Sequence, residues 1–417
     1  MKLQPVRGTR DILAPESKLH NIIVEKARKL ANGFGYDEVI LPIFEFSEVF
    51  LGSLGETSDI LTKETYTFID REKTSLTLRP EFTAQVVRAL GTAGLLQTMP
   101  VKFFSYGPLF RHERPQKCRY RQFHQVNFEY FGCHNPVADV EVICLAQMFL
   151  AELGLDNLVE LQINSLGDAK SRAKYRQMLV DFLSKYAADL SHDSQKRLER
   201  NPLRILDSKD EKDREILKEA PSIEDSYTPE ARQYYHNVLA GLDKLKIQYK
   251  HNPQLVRGLD YYNHTVFEFI TNKLGSQGTV LAGGRYDDLP QQMHNTSFPI
   301  PAIGFASGVE RLCALIMEDN PNFIPPTNNI AVVAASEQEE LPALELANFL
   351  RKKGHCVLQE FGGNLSKKMK KANKANCQYA IIIGAEEINL GKLRLKNMQS
   401  GDEILLAKEE LLGYLNK

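Results

Sequence analysis

The chain has 417 residues, 43% of them hydrophobic, and 52 Lys and Arg balance 53 Asp and Glu for a formal net charge of -1. That length can bury more than one core, so a large domain with at least one smaller companion is expected. The near-neutral balance excludes whole-molecule electrostatic capture of a polyanion, and any nucleic acid has to be met by local patches.

In chain order, apolar residues recur at helical spacing from Ser17 to Gly33, and VILPIFEF, YTFID and SLTLRP then read as short strands between polar turns. VKFFSYGPLF and RQFHQVNFEYF both alternate, which predicts a β-hairpin whose long loop is the basic segment between them. Gln125, Asn127 and Glu129 then share one face, and Val126, Phe128 and Tyr130 take the core-packed one. Charged, helix-period sequence from about 168 to 252, broken by Pro202, Pro221 and Pro229, predicts a helical insertion. Strand patterns return at TVFEFI and GTVLAG, and NPNFIPPTNN is a linker candidate. This gives domains of 1–325 and 326–417, the second with the β-α-β-α-β order of a small, mainly parallel sheet.

Six cysteines without any C-x-x-C pair exclude a zinc knot and a disulfide framework. The opening MKLQPVRGTRDIL lacks the apolar core of a secretory signal, and no run of about eighteen apolar residues follows. A cytoplasmic location with no membrane partner is expected.

From Phe110 to His124 five Lys or Arg residues crowd one loop: Arg111, Arg114, Lys117, Arg119 and Arg121. The guanidinium fork suits a nucleotide phosphate and a polynucleotide backbone alike. In AIGFASGVERL, Ser307 precedes Glu310 by three, a capping-box pattern for a helix starting near Gly308. Arg311 then lies in the first turn, where a cation opposes the helix dipole unless an anion is bound beside it. LVRGLDYY supplies Arg257 with the pair Tyr261 and Tyr262, and LAGGRYDDL sets Arg285 beside a Gly-Gly turn. Glu81 and Thr83 are two residues apart, on one side of an extended chain. No G-x-x-x-x-G-K-[ST] occurs, GGNLSKK being a near miss, so ATP would have to be held by arginines.

RGTRDIL, TLRPEFTA, FRHERPQKCRYRQFHQVNFEYFG, LVRGLDYYNHTVFEF, AGGRYDDL and IGFASGVERL together resemble the bacterial-type histidyl-tRNA synthetases over essentially the whole chain. The hairpin is similar to the second signature motif of class II aminoacyl-tRNA synthetases and the Arg311 helix to the third. The resemblance implies an α+β catalytic domain with an antiparallel sheet, a helical insertion and a small α/β C-terminal anticodon-binding domain. It implies a homodimer formed partly around VILPIFEF, and ATP-dependent ligation of L-histidine to tRNA(His) through a histidyl-adenylate.

By the same resemblance Arg111 holds the α-phosphate of ATP and Arg311 the γ-phosphate. Arg119 belongs to the ATP site, and Arg257 stabilises the transition state. Glu81, Thr83 and Gln125 receive the α-amino group of histidine, and Glu129 with Tyr261 and Tyr262 forms the ring pocket. Arg114, Gln116, Lys117 and Arg121 reach the tRNA acceptor end, and Lys367, Lys370 and Lys374 the anticodon stem. Mg²⁺ accompanies ATP, with no metal-ligating side chain assigned. The chemistry needs no protein nucleophile, since the histidine carboxylate attacks the α-phosphorus and preorganised cations stabilise the charge.

Phe82, Cys118 and Asp288 stand where this family is expected to carry glycine; the first and last would narrow the amino-acid pocket or alter its turn. The alternative function is a synthetase-like regulatory subunit that binds histidine without charging tRNA. Such relatives typically lack the C-terminal domain and degrade the arginine motifs, both of which this chain retains. A plain RNA-binding module would leave Glu81, Glu129 and Tyr262 without a purpose.

Overall fold

The computed structural model describes residues 3–51, 64–257, 261–275, 278–320 and 329–415. It divides into two units, Met1–Phe323 and Ile324–Lys417. Residues 321–328 of the expected linker lie outside the described residues.

The first unit begins with α1 (Glu16–Gly33), β1 (Asp37–Glu38), β2 (Phe44–Phe46), α2 (Ser47–Leu51), β3 (Tyr66–Ile69) and β4 (Ser75–Leu78). It continues through α3 (Thr83–Thr92), the hairpin β5 (Val101–Phe110) and β6 (Gln122–Phe131), α4 (Pro136–Glu152) and β7 (Glu160–Ser165). The insertion supplies α5 (Ala169–Leu183), α6 (His192–Arg200), α7 (Glu211–Leu217) and α8 (Pro229–Lys244). Then come β8 (Lys250–His251), β9 (Asn263–Ile270), β10 (Thr279–Arg285), α9 (Asp288–His294), β11 (Ala302–Gly308) and α10 (Val309–Asp319).

Eight strands form one sheet in the order β1-β5-β6-β11-β10-β9-β7-β8. The central strands are antiparallel, and only the two-residue edge strands β1 and β8 pair in parallel, with β5 and β7. The hairpin keeps one register from Val101 opposite Phe131 to Phe110 opposite Gln122. Its period-2 pattern drives Val126 and Phe128 into a core beneath α1, α4 and α10, where the Phe128 and Phe305 rings stack at 4.7 Å. α1 buries Leu19, Ile23, Ala27 and Ala31, four residues apart, against that core. The insertion shares it, since Tyr175, Leu179, Val238 and Leu242 lie in the same cluster.

Two expectations change here. VILPIFEF yields a strand only at Phe44–Phe46, in a separate small sheet ordered β2-β4-β3, because Pro42 lacks the amide that a ladder needs. Around it Ile40, Phe44, Phe46, Phe68 and Ile69 remain exposed, Ile40 at 91%. Gly283 and Gly284 form no turn but lie inside β10, and Arg285 ends that strand fully buried. Its guanidinium pairs with Asp139 and, at 3.0 Å, with Asp287, and also donates to the Cys133 carbonyl at 3.1 Å. Arg285 is thus part of the scaffold. Asp139→Ala leaves this buried cation without its main partner, so the unfolding free energy of the first unit should fall by about 3–5 kcal/mol. Urea denaturation followed by circular dichroism measures it.

The second unit holds β12 (Asn329–Ala334), α11 (Glu340–Lys352), β13 (Cys356–Gln359), α12 (Leu365–Lys374), β14 (Tyr379–Ile383), α13 (Ala385–Asn389), β15 (Leu393–Asn397), β16 (Glu403–Leu406) and α14 (Lys408–Leu415). β12 lies between parallel partners β13 and β14, as the β-α-β-α-β pattern predicts. β15 and β16 extend the sheet antiparallel, an addition that the charged run through Lys392, Arg394 and Lys396 concealed. Apolar residues cover both faces, with Leu346 and Leu350 of α11 on one and Ala372 of α12 on the other.

Candidate active site

One cleft of the first unit, of about 230 Å³, is lined by Arg111, Arg119, Arg257 and Arg311 together with Glu81, Thr83, Gln125 and Glu129, and Tyr261 and Tyr262 also face it. A single water needs only about 10–15 Å³, so this is room for a ligand.

The arginines come from three places: the hairpin loop, the segment before β9, and the start of α10. Arg111 follows β5, where its Nε donates to the Pro80 carbonyl at 2.9 Å and its guanidinium lies over the Phe123 ring. Arg119 returns from the loop and pairs with Glu113 and, at 3.5 Å, Glu64. Arg257 donates to Glu268 at 3.2 Å. Arg311 sits in the first turn of α10, and its Nη1 donates to the Thr279 carbonyl at 2.7 Å. Burial, and then the like charge of Arg111, push the Arg311 guanidinium below its ordinary pKa. Arginines gathered in one cleft, with Arg311 held there against both desolvation and the like charge of Arg111, give that part of the cleft a cationic lining.

Arg311 is where the sequence puts it, but the expected capping box is not formed. Ser307 still belongs to β11 and donates to the Val280 carbonyl at 2.8 Å, and Gly308 is the N-cap. Glu310 instead accepts from the His124 backbone amide and from its ring Nδ1 at 2.8 Å, so it ties α10 to the hairpin.

The same cleft also holds a carboxylate pocket. Glu81 accepts the Thr83 and Ala84 amides at 2.6 and 2.9 Å, capping α3. Glu81 and Thr83 therefore meet through a helix start, not along an extended chain. Thr83 Oγ1 donates to Glu129 at 2.6 Å, Asn127 Nδ2 donates at 3.1 Å, and the Tyr286 hydroxyl donates to its other oxygen. Burial nonetheless raises the Glu129 carboxyl to about 7, against the pull of those bonds. The phenol bonded to Glu129 is thus Tyr286, which the sequence reading missed. Tyr286 is two residues beyond Gly284, and that alternation along AGGRY was the available signal. Asn127, seen to share the hairpin's polar face, was likewise left out. Tyr261 and Tyr262 tilt against each other at 4.7 Å, and Tyr286 meets the edges of both.

Glycine makes this pocket possible. Gly304 lies opposite Glu129 in the β6–β11 register, and a Cβ there would sit 1.7 Å from the carboxylate oxygen. Of the three unexpected residues, Phe82 lines the cleft beneath the Arg79 guanidinium, at a φ of -98° that asks for no glycine. Asp288 is outside the lining and pairs with Arg172 at 2.6 Å, so it does not narrow the pocket. Cys118, at φ 61°, occupies the left-handed conformation that glycine adopts freely.

The remaining loop residues are at the outer lip. Arg114, Gln116 and Lys117 are exposed, Lys117 pairs with Glu318 at 2.9 Å, and Arg121 donates to the Glu113 carbonyl at 3.2 Å. In the second unit the broad lysine patch is smaller than its sequence. Lys368 pairs with Glu340, Lys371 with Glu360, Lys396 with Glu403, and Arg394 with Glu386, Glu387 and Glu403. Lys367, Lys370 and Lys374 are exposed on α12.

A central antiparallel sheet, with one arginine at the hairpin and another at the start of α10, after β11, lining the same cleft, defines a class II aminoacyl-tRNA synthetase. Residues 8–312 match the family model described as histidyl-tRNA synthetase, and residues 329–417 match the anticodon binding domain. The chain is 50% identical over 413 residues to a Rhodospirillum rubrum protein named histidine–tRNA ligase, covering 99% of this chain and 98% of that one. Among solved structures, apo histidyl-tRNA synthetase of S. aureus is 32% identical, covers all of both chains and superposes with a TM-score of 0.80. A Bacillus halodurans structure titled ATP phosphoribosyltransferase regulatory subunit/histidyl-tRNA synthetase is 21% identical, covers 92% of this chain and 99% of that one, and shares the fold at a TM-score of 0.66. The chain belongs to the histidyl-tRNA synthetase family, whose members consume ATP as a substrate. Among the described residues no helix is long and apolar enough to cross a membrane.

Proposed function

We propose that this chain is a cytoplasmic histidine–tRNA ligase that activates L-histidine with ATP, passes the histidyl group to tRNA(His), and releases AMP and pyrophosphate. What carries the reading is one cleft that holds both four arginines and a buried carboxylate–phenol pocket. A phosphate-rich ligand and an imidazole need those two halves side by side.

In this mechanism the histidine carboxylate forms a bond to the α-phosphorus while the bond to pyrophosphate breaks. Arg111 steadies the α-phosphate, Arg119 contributes to the nucleotide site, and Arg311 holds the γ-phosphate. Arg257 meets the charge that develops on the α-phosphate oxygens. Glu81, Thr83 and Gln125 receive the α-ammonium group. Glu129 accepts from one ring nitrogen, with Tyr262 and Tyr261 shaping the pocket around the imidazole. A Mg²⁺ ion bound with ATP would supply neutralisation of phosphate charge. The carboxylates that line the cleft near the arginines are Glu113 and Glu310, and either would have to release its present partner, Arg119 or His124, to hold such an ion.

The exposed apolar residues around β2 and β3 support a homodimer through that face. Arg114, Gln116, Lys117 and Arg121 would guide the acceptor end of tRNA, with the insertion as a clamp. The anticodon-binding domain would begin near residue 326. The regulatory alternative is weakened by the retained arginines and C-terminal domain.

ATP–pyrophosphate exchange is the direct test. Histidine should drive it, and exchange with tyrosine or glutamine but not histidine would sink the reading. Reversing Lys367, Lys370 and Lys374 to Glu should weaken tRNA binding and flatten its salt dependence, because fewer counterions are released. Adenylate formation should remain near normal. A wild-type tRNA KM at several salt concentrations would reduce this helix face to a solvated surface.

A further inference from the structure

Arg172, on α5 of the insertion, is absent from the cleft lining yet reaches the residue that shapes its ring pocket. Its Nη1 donates to the Tyr262 backbone carbonyl at 2.9 Å, and its Nη2 donates to Asp288 Oδ2 at 2.6 Å. Tyr262 directly precedes β9, so its peptide is where the regular sheet hydrogen-bond ladder begins. On the far side, the Tyr262 ring packs on Gly284, where a Cβ would lie 2.8 Å from the ring. The tyrosine is therefore fixed from two directions, by an absence of side chain beneath the ring and by a cation at the carbonyl.

The geometry depends on arginine. A planar guanidinium presents two donors at fixed spacing, so one group can satisfy the carbonyl and the carboxylate together, which a lysine ammonium matches poorly. Asp288 begins α9, where a carboxylate also favours the positive helix end. α9 in turn is tied to α3, the helix that begins at Thr83, through the His294 ring nitrogen 2.6 Å from the Val87 carbonyl. Arg172 thus joins three elements around the amino-acid half of the cleft. Among the described residues the hydrogen bonds of this side chain go to Tyr262 and Asp288, and none goes to the four cleft arginines.

We propose that Arg172 is a positioning residue for histidine recognition: together with Asp288 it fixes the Tyr262 backbone and makes the helical insertion part of the amino-acid site. This rests on the reading of Tyr262 as a wall of the histidine pocket. A small displacement of such a group is felt strongly by a ligand that must be held in one geometry. The insertion therefore contributes to activation before any tRNA arrives.

The test uses the full chain and three variants: Arg172→Ala, Arg172→Lys, and Asp288→Gly, which leaves Arg172 in place. In ATP–pyrophosphate exchange, Arg172→Ala should raise the histidine KM roughly tenfold while the ATP KM stays within about twofold. Arg172→Lys should recover part of that loss, and Asp288→Gly should show a smaller rise of the same kind. Histidine KM at the wild-type value in all three overturns the proposal. So does a parallel loss in histidine KM, ATP KM and kcat with a lowered Tm, which marks a merely structural contact. Calorimetric titration of histidine separates the two layers. If the wild-type chain binds no histidine, the functional reading fails, whereas wild type and variants binding equally well removes Arg172 alone.

Discussion

Arg257→Ala should slow histidine activation by roughly 10² to 10³ while leaving the histidine KM near its wild-type value, the pattern expected when a charge donor aimed at the transition state is lost. The reason is preorganisation. Arg257 is oriented by Glu268, which also accepts the Thr279 hydroxyl at 3.1 Å, and among the described residues its buried Nε has no hydrogen-bond partner. A donor held in this way meets phosphate oxygens without reorganising as charge accumulates on them. Glu268 keeps Thr279 in the variant, so the scaffold survives. Single-turnover adenylate formation reads the step directly, and a rate near wild type would take Arg257 out of the chemistry.

Glu129→Gln tests the other half of the cleft. The amide keeps the shape but loses a charged acceptor, a difference of about 1.5–3 kcal/mol, so the histidine KM should rise by roughly 10- to 100-fold with little change for ATP. Acidity makes the assignment sharper. The Glu129 carboxyl titrates near 7, raised by burial, so the charged acceptor is lost as pH falls through that value. The advantage of wild type over the variant should shrink from pH 8 to pH 6. Comparing the two chains cancels the titration of histidine itself, and a constant ratio would assign the ring to another residue. Stability has the opposite slope. Between the ordinary carboxylate range and about 7 the folded chain retains a proton that the unfolded chain has released, so wild-type stability falls as pH rises through this window. The Gln variant should lack this fall and, without ligand, should melt higher than wild type above pH 7.

The hairpin was readable because a period of two is a local property, visible in Val126 and Phe128 alternating with Asn127 and Glu129. The helix carrying Arg311 was readable too, although for a partly wrong reason. Ser307 and Glu310 have capping-box spacing, but β11 claims the serine and His124, 186 residues away, claims the glutamate. The scaffold role of Arg285, expected only to sit beside a Gly-Gly turn, was not readable because its partner Asp139 is 146 residues distant. The pairing of the C-terminal cations was not readable because Glu340, Glu360 and Glu403 reach them only once the sheet has formed. What escaped the sequence is long-range pairing of polar groups, which no periodicity encodes. The family's motif set carried the fold and the reaction; the contacts of Tyr286 and Arg172 became visible only in the structure.

The space above Gly304 has a consequence for laboratory evolution. The Glu129 carboxylate occupies the volume that any side chain at 304 would fill, so on the proposed role of Glu129 selectivity would be written partly as missing atoms. Even alanine at 304 should displace the carboxylate and cost histidine recognition without altering a single residue that touches the ring. A library seeking charging of bulkier histidine analogues should therefore hold 304 fixed and draw its diversity from Glu129, Tyr262 and Tyr286, whose side chains can be shortened to make room. Opening 304 would fill the library with members blocked before selection begins.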